Sequence, residues 1–165
     1  MMLTPTIREA QTASDIAQVR ELFLEYQSAL GVDLCFQGFA EELASLPGNY
    51  ARPTGRLLLA SNGSDVLGVI GLRSLRDADC EMKRLYVRPS GRGAGLGRRL
   101  TNALIKEARL AGYRRVLLDT LPSMSEAQAL YRSMGFVEIA AYCNNPIEGT
   151  LYMSLDLREL SELQQ

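Results

Sequence analysis

The stretch that decides the fold is Arg92-Gly93-Ala94-Gly95-Leu96-Gly97, which follows the apolar segment Leu85-Tyr86-Val87 and opens a long amphipathic helix. At the first turn of a helix the backbone N–H groups lack intrahelical partners and the dipole is positive, so several donors can hold one anion. Glycines carry no Cβ, which lets a bulky diphosphate approach the backbone. Arg92 adds a positive charge, and Pro89 ends the strand. The stretch therefore predicts a phosphate-binding loop.

Two better-known phosphate loops have glycine patterns that this stretch does not match. The dinucleotide pattern G-x-G-x-x-G would require glycine at Leu96 or Arg98, and the P-loop requires a Gly-Lys-Ser/Thr ending that the chain lacks. The remaining pattern, Arg92-x-x-Gly95-x-Gly97 after a strand and a proline, resembles the coenzyme A pyrophosphate loop of the GNAT superfamily of N-acyltransferases. The alternative is an inert, solvated turn, which the alternation of glycine with other residues disfavours.

A second motif further along the chain strengthens this resemblance. The segment Ala127-Gln128-Ala129-Leu130-Tyr131-Arg132-Ser133-Met134-Gly135-Phe136 is similar to the A-x-x-L-Y-x-x-x-G-F helix of the same superfamily, whose tyrosine approaches the coenzyme thiol. The resemblance covers residues 66–157, and the earlier part of the chain matches only in outline. One departure is Met124, at a position where such proteins often carry an asparagine that contacts the cofactor.

The order of strands and helices leads to the same fold class. The pattern predicts strands at 6–9, 56–60, 66–72, 79–87, 115–120, 136–142 and 151–157. It predicts helices from the capping box Thr12-x-x-Asp15 to Gly31, at 39–46, from Leu96 to about Gly112, and around Tyr131. Strand, glycine loop, helix and strand form a crossover, so strands 79–87 and 115–120 should be parallel neighbours. We expect a mixed α/β sheet with helices on both faces, and the resemblance implies a mostly antiparallel sheet whose central parallel pair splays to hold coenzyme A.

The composition is that of an ordinary globular domain, with 165 residues, 47% apolar and 22% charged, and a formal net charge of −1. We expect a single domain over residues 1–165. Nucleic acids and anionic membranes are bound through cationic surfaces, so this balance disfavours both as partners. Arg88, Arg92, Arg98 and Arg99 cluster only at the predicted loop, where they suit a small polyanion.

Histidine is absent from the chain, which removes the usual general base and most metal sites. The three cysteines Cys35, Cys80 and Cys143 are odd in number and widely spaced, so neither a disulfide framework nor a zinc site is expected. We read them as small buried apolar residues. No run of apolar residues is long enough to cross a bilayer, and a cytoplasmic location is the default expectation.

The resemblance implies a set of residues that bind acetyl-CoA as cosubstrate, without a metal. The backbone of the glycine loop would hold the diphosphate, and the exposed edge of the parallel pair would hydrogen-bond the pantetheine arm as an added strand does. These cofactor-binding residues are Leu85, Tyr86, Val87, Arg92, Gly93, Ala94, Gly95, Leu96 and Gly97.

Transfer of an acyl group to an amine needs the amine in its neutral form. For a lysine-like amine with a pKa of about 10.4, roughly one molecule in 2,500 is neutral at pH 7, a cost of about 4.6 kcal/mol. Without histidine, a carboxylate is the natural proton acceptor. Glu81 is the candidate base by resemblance, since it lies on the strand that leads to the cofactor edge. The alternative is a solvated carboxylate paired with Lys83 or Arg84.

Tyr131 is the candidate acid that would protonate the departing thiolate, because a phenol can donate a proton at neutral pH. On helical spacing alone Tyr131 would be a core aromatic residue. The surrounding motif reverses that preference.

The acceptor is the least legible part of the sequence. Tyr26, Phe36, Arg73 and Tyr142 fall in segments that flank the acceptor cleft in similar proteins, and each could equally be packing or surface. The cations Arg73, Arg76, Lys83 and Arg84 suggest an acceptor that bears a carboxylate, or else a solvated basic face. The sequence thus favours an N-acetyltransferase that acts on a small-molecule or peptide amine. The alternative is a coenzyme A-binding sensory or scaffold domain without catalysis. The resemblance also makes a homodimer a reasonable expectation.

Overall fold

The computed structural model describes residues 4–34 and 38–158, which form one seven-stranded sheet and four α-helices. The strands are β1 (Thr6–Glu9), β2 (Arg56–Asn62), β3 (Asp65–Arg76), β4 (Asp79–Val87), β5 (Arg115–Thr120), β6 (Val137–Ile139) and β7 (Leu151–Asp156). The helices are α1 (Ala13–Leu30), α2 (Phe39–Ser45), α3 (Leu96–Leu110) and α4 (Ser125–Ser133). The sheet order is β1-β2-β3-β4-β5-β7-β6, and β4–β5 is its parallel pair. The predicted mixed, mostly antiparallel sheet is confirmed.

The parallel pair separates after three residues. Asp79, Cys80 and Glu81 of β4 pair with β5 as far as Leu117, and beyond this point the two strands have no further ladder. β4 nevertheless continues to Val87 and stays paired with β3 there. Its outer edge therefore keeps backbone groups that face the gap, as predicted for a strand pair that splays.

A β-bulge distorts β4 where the gap opens. Lys83 pairs with Gly71 and Tyr86 pairs with Val69, so Arg84 and Leu85 together face a single residue of β3. Arg84 adopts a left-handed backbone with φ of 63°, which is costly for a residue with a Cβ. Such strain persists only where the surroundings hold it, so this position is a candidate for a special role.

Helices cover both faces of the sheet, as predicted, and each face has its own apolar core. On one face Leu100 and Leu104 of α3 pack against β3, together with Tyr131 and Phe136. On the other face α1 and α2 pack on β2 and β3 through Val19, Phe23, Phe39, Tyr50 and Leu59. The sheet therefore forms a central layer between two apolar layers.

Local signals set the ends of α1 as the sequence predicted. The Thr12 hydroxyl accepts from the Asp15 amide, and the Asp15 carboxylate accepts from the Thr12 amide, which completes a capping box. Gly31 ends the helix with φ of 67°. Arg8 also donates to Asp15 at 2.8 Å, which holds the pKa of that carboxyl below its usual range.

The later strands are shorter than predicted. β6 covers only Val137–Ile139, so the prediction of a strand over 136–142 was wrong for the residues that follow Ile139. Tyr142 instead leaves the sheet edge and reaches Glu81 with its hydroxyl. The β2–β3 hairpin closes on two residues, Gly63 and Ser64, rather than on a longer loop.

Gly71 of β3 gives a direct test of the packing between the sheet and Tyr50. A Cβ built on Gly71 would lie 2.7 Å from Tyr50 Cε1, so Gly71→Ala must displace the ring. We expect Gly71→Ala to lower the free energy of unfolding by about 1–3 kcal/mol in urea titrations. Ser74→Ala, at an exposed position of the same strand, is the matched control. An unchanged midpoint for Gly71→Ala would contradict this packing.

Candidate functional site

The glycine loop after β4 forms an uncapped helix start. α3 begins at Leu96, and its N-cap Gly95 has φ of 70° and makes no side-chain capping hydrogen bond. The first amide to bond back into the helix is that of Arg99, which reaches the Gly95 carbonyl at 3.1 Å. The preceding amides of the first turn therefore point outward with the positive end of the helix dipole. A negatively charged group fits this position.

The space around the loop is open enough for a negatively charged group to approach the backbone. A Cβ built on Gly93 or Gly95 would meet nothing within 4 Å, so the approach to the backbone is open. Gly91 differs, because its Cβ would lie 3.1 Å from the Leu67 Cβ and 3.3 Å from Val87 Cγ1. Gly91 therefore packs the loop onto the sheet, while Gly93 and Gly95 face outward.

A cleft of about 670 Å³ runs from this loop along the free edge of β4. It is lined by the predicted cofactor-binding residues Leu85, Tyr86, Val87, Arg92, Gly93, Gly95, Leu96 and Gly97. The opposite wall comes from α1 and from the start of α4, including Tyr26, Met124 and Ala127. The structure thus brings together every residue of the predicted set except Ala94, which lies in the loop without lining the cleft.

The basic residues at the loop do not all face the cleft. Arg88 donates to both oxygens of Glu25, as close as 2.6 Å, and lies 3.3 Å from Glu21. The Glu25 pKa is held below its usual range mainly by this hydrogen bond to Arg88. Arg92 lines the cleft and donates from Nε to the Val87 carbonyl at 3.0 Å. Arg92 and Arg98 line the cleft, and Arg88 does not, so the first two are the cations placed for a phosphate.

The cleft continues into a narrow cavity of about 30 Å³ at the point where β4 and β5 separate. Tyr26, Leu30, Leu85 and Met124 line both spaces, so the two are contiguous. Such a volume holds about two water-sized groups. The end of an extended ligand in the cleft would therefore reach the side chains around this cavity.

Tyr131 lies in this cavity wall and is 4% exposed. Its ring packs on Phe136 with centroids 5.7 Å apart, so the core role considered from the sequence is also present. Burial, followed by the neighbouring Tyr26 and the Asp119 carboxylate, raises the Tyr131 pKa, which keeps the phenol protonated. Within residues 4–34 and 38–158 its hydroxyl makes no hydrogen bond, so the group remains available to a ligand.

Glu81 is buried, with 2% of its surface exposed. Arg73 donates to Oε1 at 2.9 Å, and the Tyr142 hydroxyl donates to Oε2 at 2.6 Å. Burial and the neighbouring Glu81 carboxylate raise the Tyr142 pKa. The alternative was a solvated carboxylate paired with Lys83 or Arg84; the carboxylate is buried, Arg84 pairs with Glu42, and only the pairing with Lys83 is present. Lys83 lies 4.0 Å from Oε2.

A side-chain ion pair bridges the gap between the separating strands. Lys83 Nζ lies 3.7 Å from Asp119 Oδ1, and both residues are two positions beyond the last backbone pair, Glu81 with Leu117. Asn145 donates to the other Asp119 oxygen at 3.2 Å and lines the cavity. The sequence assigned no role to Asp119 or Asn145; the separation of β4 and β5 exposes Asp119 to Lys83, and Asn145 reaches it from the segment between β6 and β7.

Three of the four predicted acceptor residues lie around this network. Tyr26 lines the cleft and the cavity, while Arg73 and Tyr142 hold Glu81 from two sides. Phe36 lies outside the described residues.

The acceptor-side cations are all paired with carboxylates. Arg73 pairs with Glu81, Arg76 lies 4.0 Å from Asp79, Lys83 lies between Glu81 and Asp119, and Arg84 pairs with Glu42. Lys83 and Arg84 are also buried, so they do not form a solvated basic face. The pairing removes the reason to expect an acceptor that bears a carboxylate.

The cysteines and possible metal ligands add no further chemistry to the described site. Cys80 is buried, which raises its thiol pKa to about 12, whereas Cys143 is exposed, contrary to the expectation of a buried residue, and Cys35 lies outside the described residues. Residues 4–34 and 38–158 contain no group of three or more side chains suited to hold a metal ion. None of the helices in these ranges is long and apolar enough to span a bilayer.

Comparison with known proteins agrees with this architecture. A family model described as the acetyltransferase (GNAT) family matches residues 16–136. An uncharacterized N-acetyltransferase of Schizosaccharomyces pombe is 36% identical over 154 residues, which cover 92% of this chain and 94% of that protein.

Solved structures share the fold at lower sequence identity. A GNAT-family acetyltransferase of Staphylococcus aureus superposes with a TM-score of 0.78 at 22% identity, covering 93% of this chain and 99% of that one. An acetyltransferase of Salmonella typhimurium, solved with its cofactor acetyl-CoA, gives a TM-score of 0.65 at 24% identity, covering 93% and 94%. These superpositions show that the overall fold is shared. The chain belongs to the acetyltransferase (GNAT) family.

Proposed function

We propose that this protein is an N-acetyltransferase that moves an acetyl group from acetyl-CoA directly to a primary amine of a small molecule or peptide. The observation that carries the proposal is the continuous path from the uncapped start of α3 to the buried hydroxyl of Tyr131. One end suits a diphosphate, and the other end places a proton donor in a narrow space. Family membership supports the same activity.

The residues of the cleft fit the parts of acetyl-CoA in order. The outward amides of 95–97 and the Arg92 guanidinium would hold the diphosphate, because hydrogen bonds to an anion are the strong ones. The free edge at Leu85 and Val87 would pair with the amides of the pantetheine arm. When bound, the cosubstrate supplies an acyl group activated as a thioester. The Salmonella typhimurium protein of the same fold was solved with acetyl-CoA, which supports this assignment.

The chemistry at the inner end requires two proton transfers. As the amine nitrogen forms its bond to the acyl carbon and the bond to sulfur breaks, the amine loses a proton and the sulfur gains one. We assign the second transfer to Tyr131, whose buried phenol is protonated and faces the cavity. We assign the first to Glu81, directly or through water, with Arg73 and Tyr142 holding the carboxylate in place.

The experiment that tests the activity is a screen of acetyl-CoA against a broad panel of primary amines and amine-bearing peptides, with detection of free thiol. We expect thiol release that depends on the amine, together with a product heavier by one acetyl group in mass spectrometry. Binding of coenzyme A without transfer to any amine would overturn the catalytic assignment and favour a sensory or scaffold role.

Glu81→Gln tests the assignment of the base. Glutamine has the same shape but cannot accept the proton of an amine, so we expect turnover to fall by about a hundredfold or more while acetyl-CoA affinity stays within a few-fold. Glu81→Asp, which keeps a carboxylate, is the matched control and should retain more turnover than Glu81→Gln. Equal turnover of Glu81→Gln and the wild type would remove Glu81 from the mechanism.

A further inference from the structure

The side chain of Arg84 connects the bulge of β4 to the helices on the acceptor side. Its guanidinium donates to both oxygens of Glu42 in α2, from Nε and from one terminal nitrogen, at 3.1 Å each. The same group lies over the ring of Phe39 at 5.1 Å and over the ring of Tyr26 at 5.9 Å. Only 2% of the Arg84 side chain is exposed. Loss of one partner from such a buried pair is costly, because the other charge is left buried and uncompensated.

Glu42 also lines a separate polar pocket of about 260 Å³. The pocket is lined by Glu41 and Glu42 of α2, by Tyr50 in the turn that follows, and by Arg73 of β3. The Tyr50 hydroxyl donates to Glu42 at 3.1 Å, and Arg73 donates to Glu81 at 2.9 Å. The position of α2 therefore determines the shape of a pocket that shares Arg73 with the candidate base.

The backbone of the same residue shapes the cofactor edge. Arg84 is one of two residues of β4 that face a single residue of β3, and the other is Leu85, which lines the cleft. Because Arg84 has φ of 63°, its backbone is strained and its side chain leaves the strand toward α2. Leu85 is the direct chain neighbour of Arg84. A ligand that hydrogen-bonds to the backbone of Leu85 therefore acts next to the strained residue.

We propose that Arg84 and Glu42 form a coupling device in which occupation of the cofactor cleft stabilises α2 and the polar pocket behind it. This rests on the proposed use of coenzyme A. Arg84 is a positioning residue. Its guanidinium transmits a change in the bulge to α2, a helix that does not line the cofactor cleft. The proposal assigns the pocket at Glu42, Tyr50 and Arg73 to the part of the acceptor that lies beyond its amine.

Hydrogen exchange with coenzyme A as the probe tests the coupling. We expect saturating coenzyme A to slow amide exchange in α2, residues 39–45, by at least about fivefold, the lower end of typical coupling between sites. Protection of the glycine loop and the start of α3 reports binding in the same experiment. Protection of the loop without any change in α2 would overturn the coupling and leave the proposed function intact. Absence of binding would instead refute the proposed use of coenzyme A.

Two variants separate the coupling from simple loss of structure. Glu42→Gln keeps a hydrogen-bond acceptor for Tyr50 but removes the charge that pairs with Arg84, and Glu41→Gln on the same helix is the matched control. We expect Glu42→Gln to abolish the change in α2 exchange while coenzyme A affinity stays within about threefold, and Glu41→Gln to behave as the wild type. Unchanged protection of α2 in Glu42→Gln would contradict the proposal.

Arg84→Gly gives a second route that leaves the side chains of α2 unchanged. Glycine accepts the left-handed backbone at this position, so the bulge keeps its shape while the guanidinium is lost. We expect coenzyme A to bind Arg84→Gly and to leave α2 unprotected. A fivefold protection of α2 in this variant would show that the signal travels by another path and would refute the role of Arg84.

Discussion

Gly95→Glu should weaken coenzyme A binding by at least about a hundredfold, which is the loss of two or more charge-assisted hydrogen bonds at about 1.5–3 kcal/mol each. Gly95 is the N-cap of α3 and has φ of 70°, a conformation that a residue with a Cβ adopts at a cost. The new carboxylate would occupy the outward amides of the helix start and repel the diphosphate. Isothermal titration with coenzyme A measures the effect.

The matched control for this variant lies at the other end of the same helix. Gly112 also has a positive φ, of 90°, and a Cβ there would meet nothing within 4 Å. Gly112→Glu therefore carries a comparable backbone penalty without touching the cleft, and it should bind coenzyme A as the wild type does. If Gly95→Glu still bound coenzyme A with micromolar affinity, the proposed position of the diphosphate at the start of α3 would be wrong.

Tyr131→Phe should lower turnover by about a hundredfold to ten-thousandfold, the range in which a positioned acid or base acts. Phenylalanine keeps the ring that packs on Phe136, and the lost hydroxyl makes no hydrogen bond within residues 4–34 and 38–158. The fold and the affinity for acetyl-CoA should therefore change little. Steady-state kinetics with the amine from the screen, together with titration of acetyl-CoA, separates turnover from binding.

Tyr113→Phe serves as the control for loss of a tyrosine hydroxyl elsewhere in the chain. The Tyr113 hydroxyl donates to the Thr54 carbonyl at 2.6 Å, between the segments that precede β5 and β2, and neither residue lines the cleft. Turnover of Tyr113→Phe should equal that of the wild type. If Tyr131→Phe also turns over at the wild-type rate, Tyr131 is a core residue only.

Local sequence signals predicted most of the fold because each depends on a few neighbouring residues. The capping box at Thr12 and Asp15 needs only a four-residue window, and Gly31 ends α1 by its own backbone freedom. The parallel pairing of β4 with β5 followed from the crossover through α3, since such connections have one hand. The prediction for β6 was too long, because the apolar residues continue past Ile139 as Ala140, Ala141 and Tyr142, whereas in the fold the Tyr142 hydroxyl reaches Glu81.

The electrostatics of the site could not be predicted in the same way. Arg84 and Glu42 are 42 residues apart, and Lys83 meets Asp119 only because the two strands separate between them. The cations that lie close together in the sequence suggested an acceptor that bears a carboxylate. In the fold, however, each of these cations has a carboxylate partner. Pairing over such distances depends on the tertiary structure, which no sequence window contains.

The glycine loop shows the opposite case, in which sequence and structure carry the same information. Its function depends on missing side chains and on the start of a helix, and both are visible in the order of residues. The loop nevertheless did not reveal that Arg88 turns away to Glu25. Of the arginines near the loop, Arg92 and Arg98 line the cleft.

A crystal structure of the protein with coenzyme A is the most direct test of the account. We predict that the diphosphate lies within hydrogen-bond distance of the backbone N–H groups of residues 95–97, and that the thiol end lies beside the Tyr131 hydroxyl. A coenzyme bound with its diphosphate elsewhere, or a cleft that stays empty at saturating concentration, would contradict it.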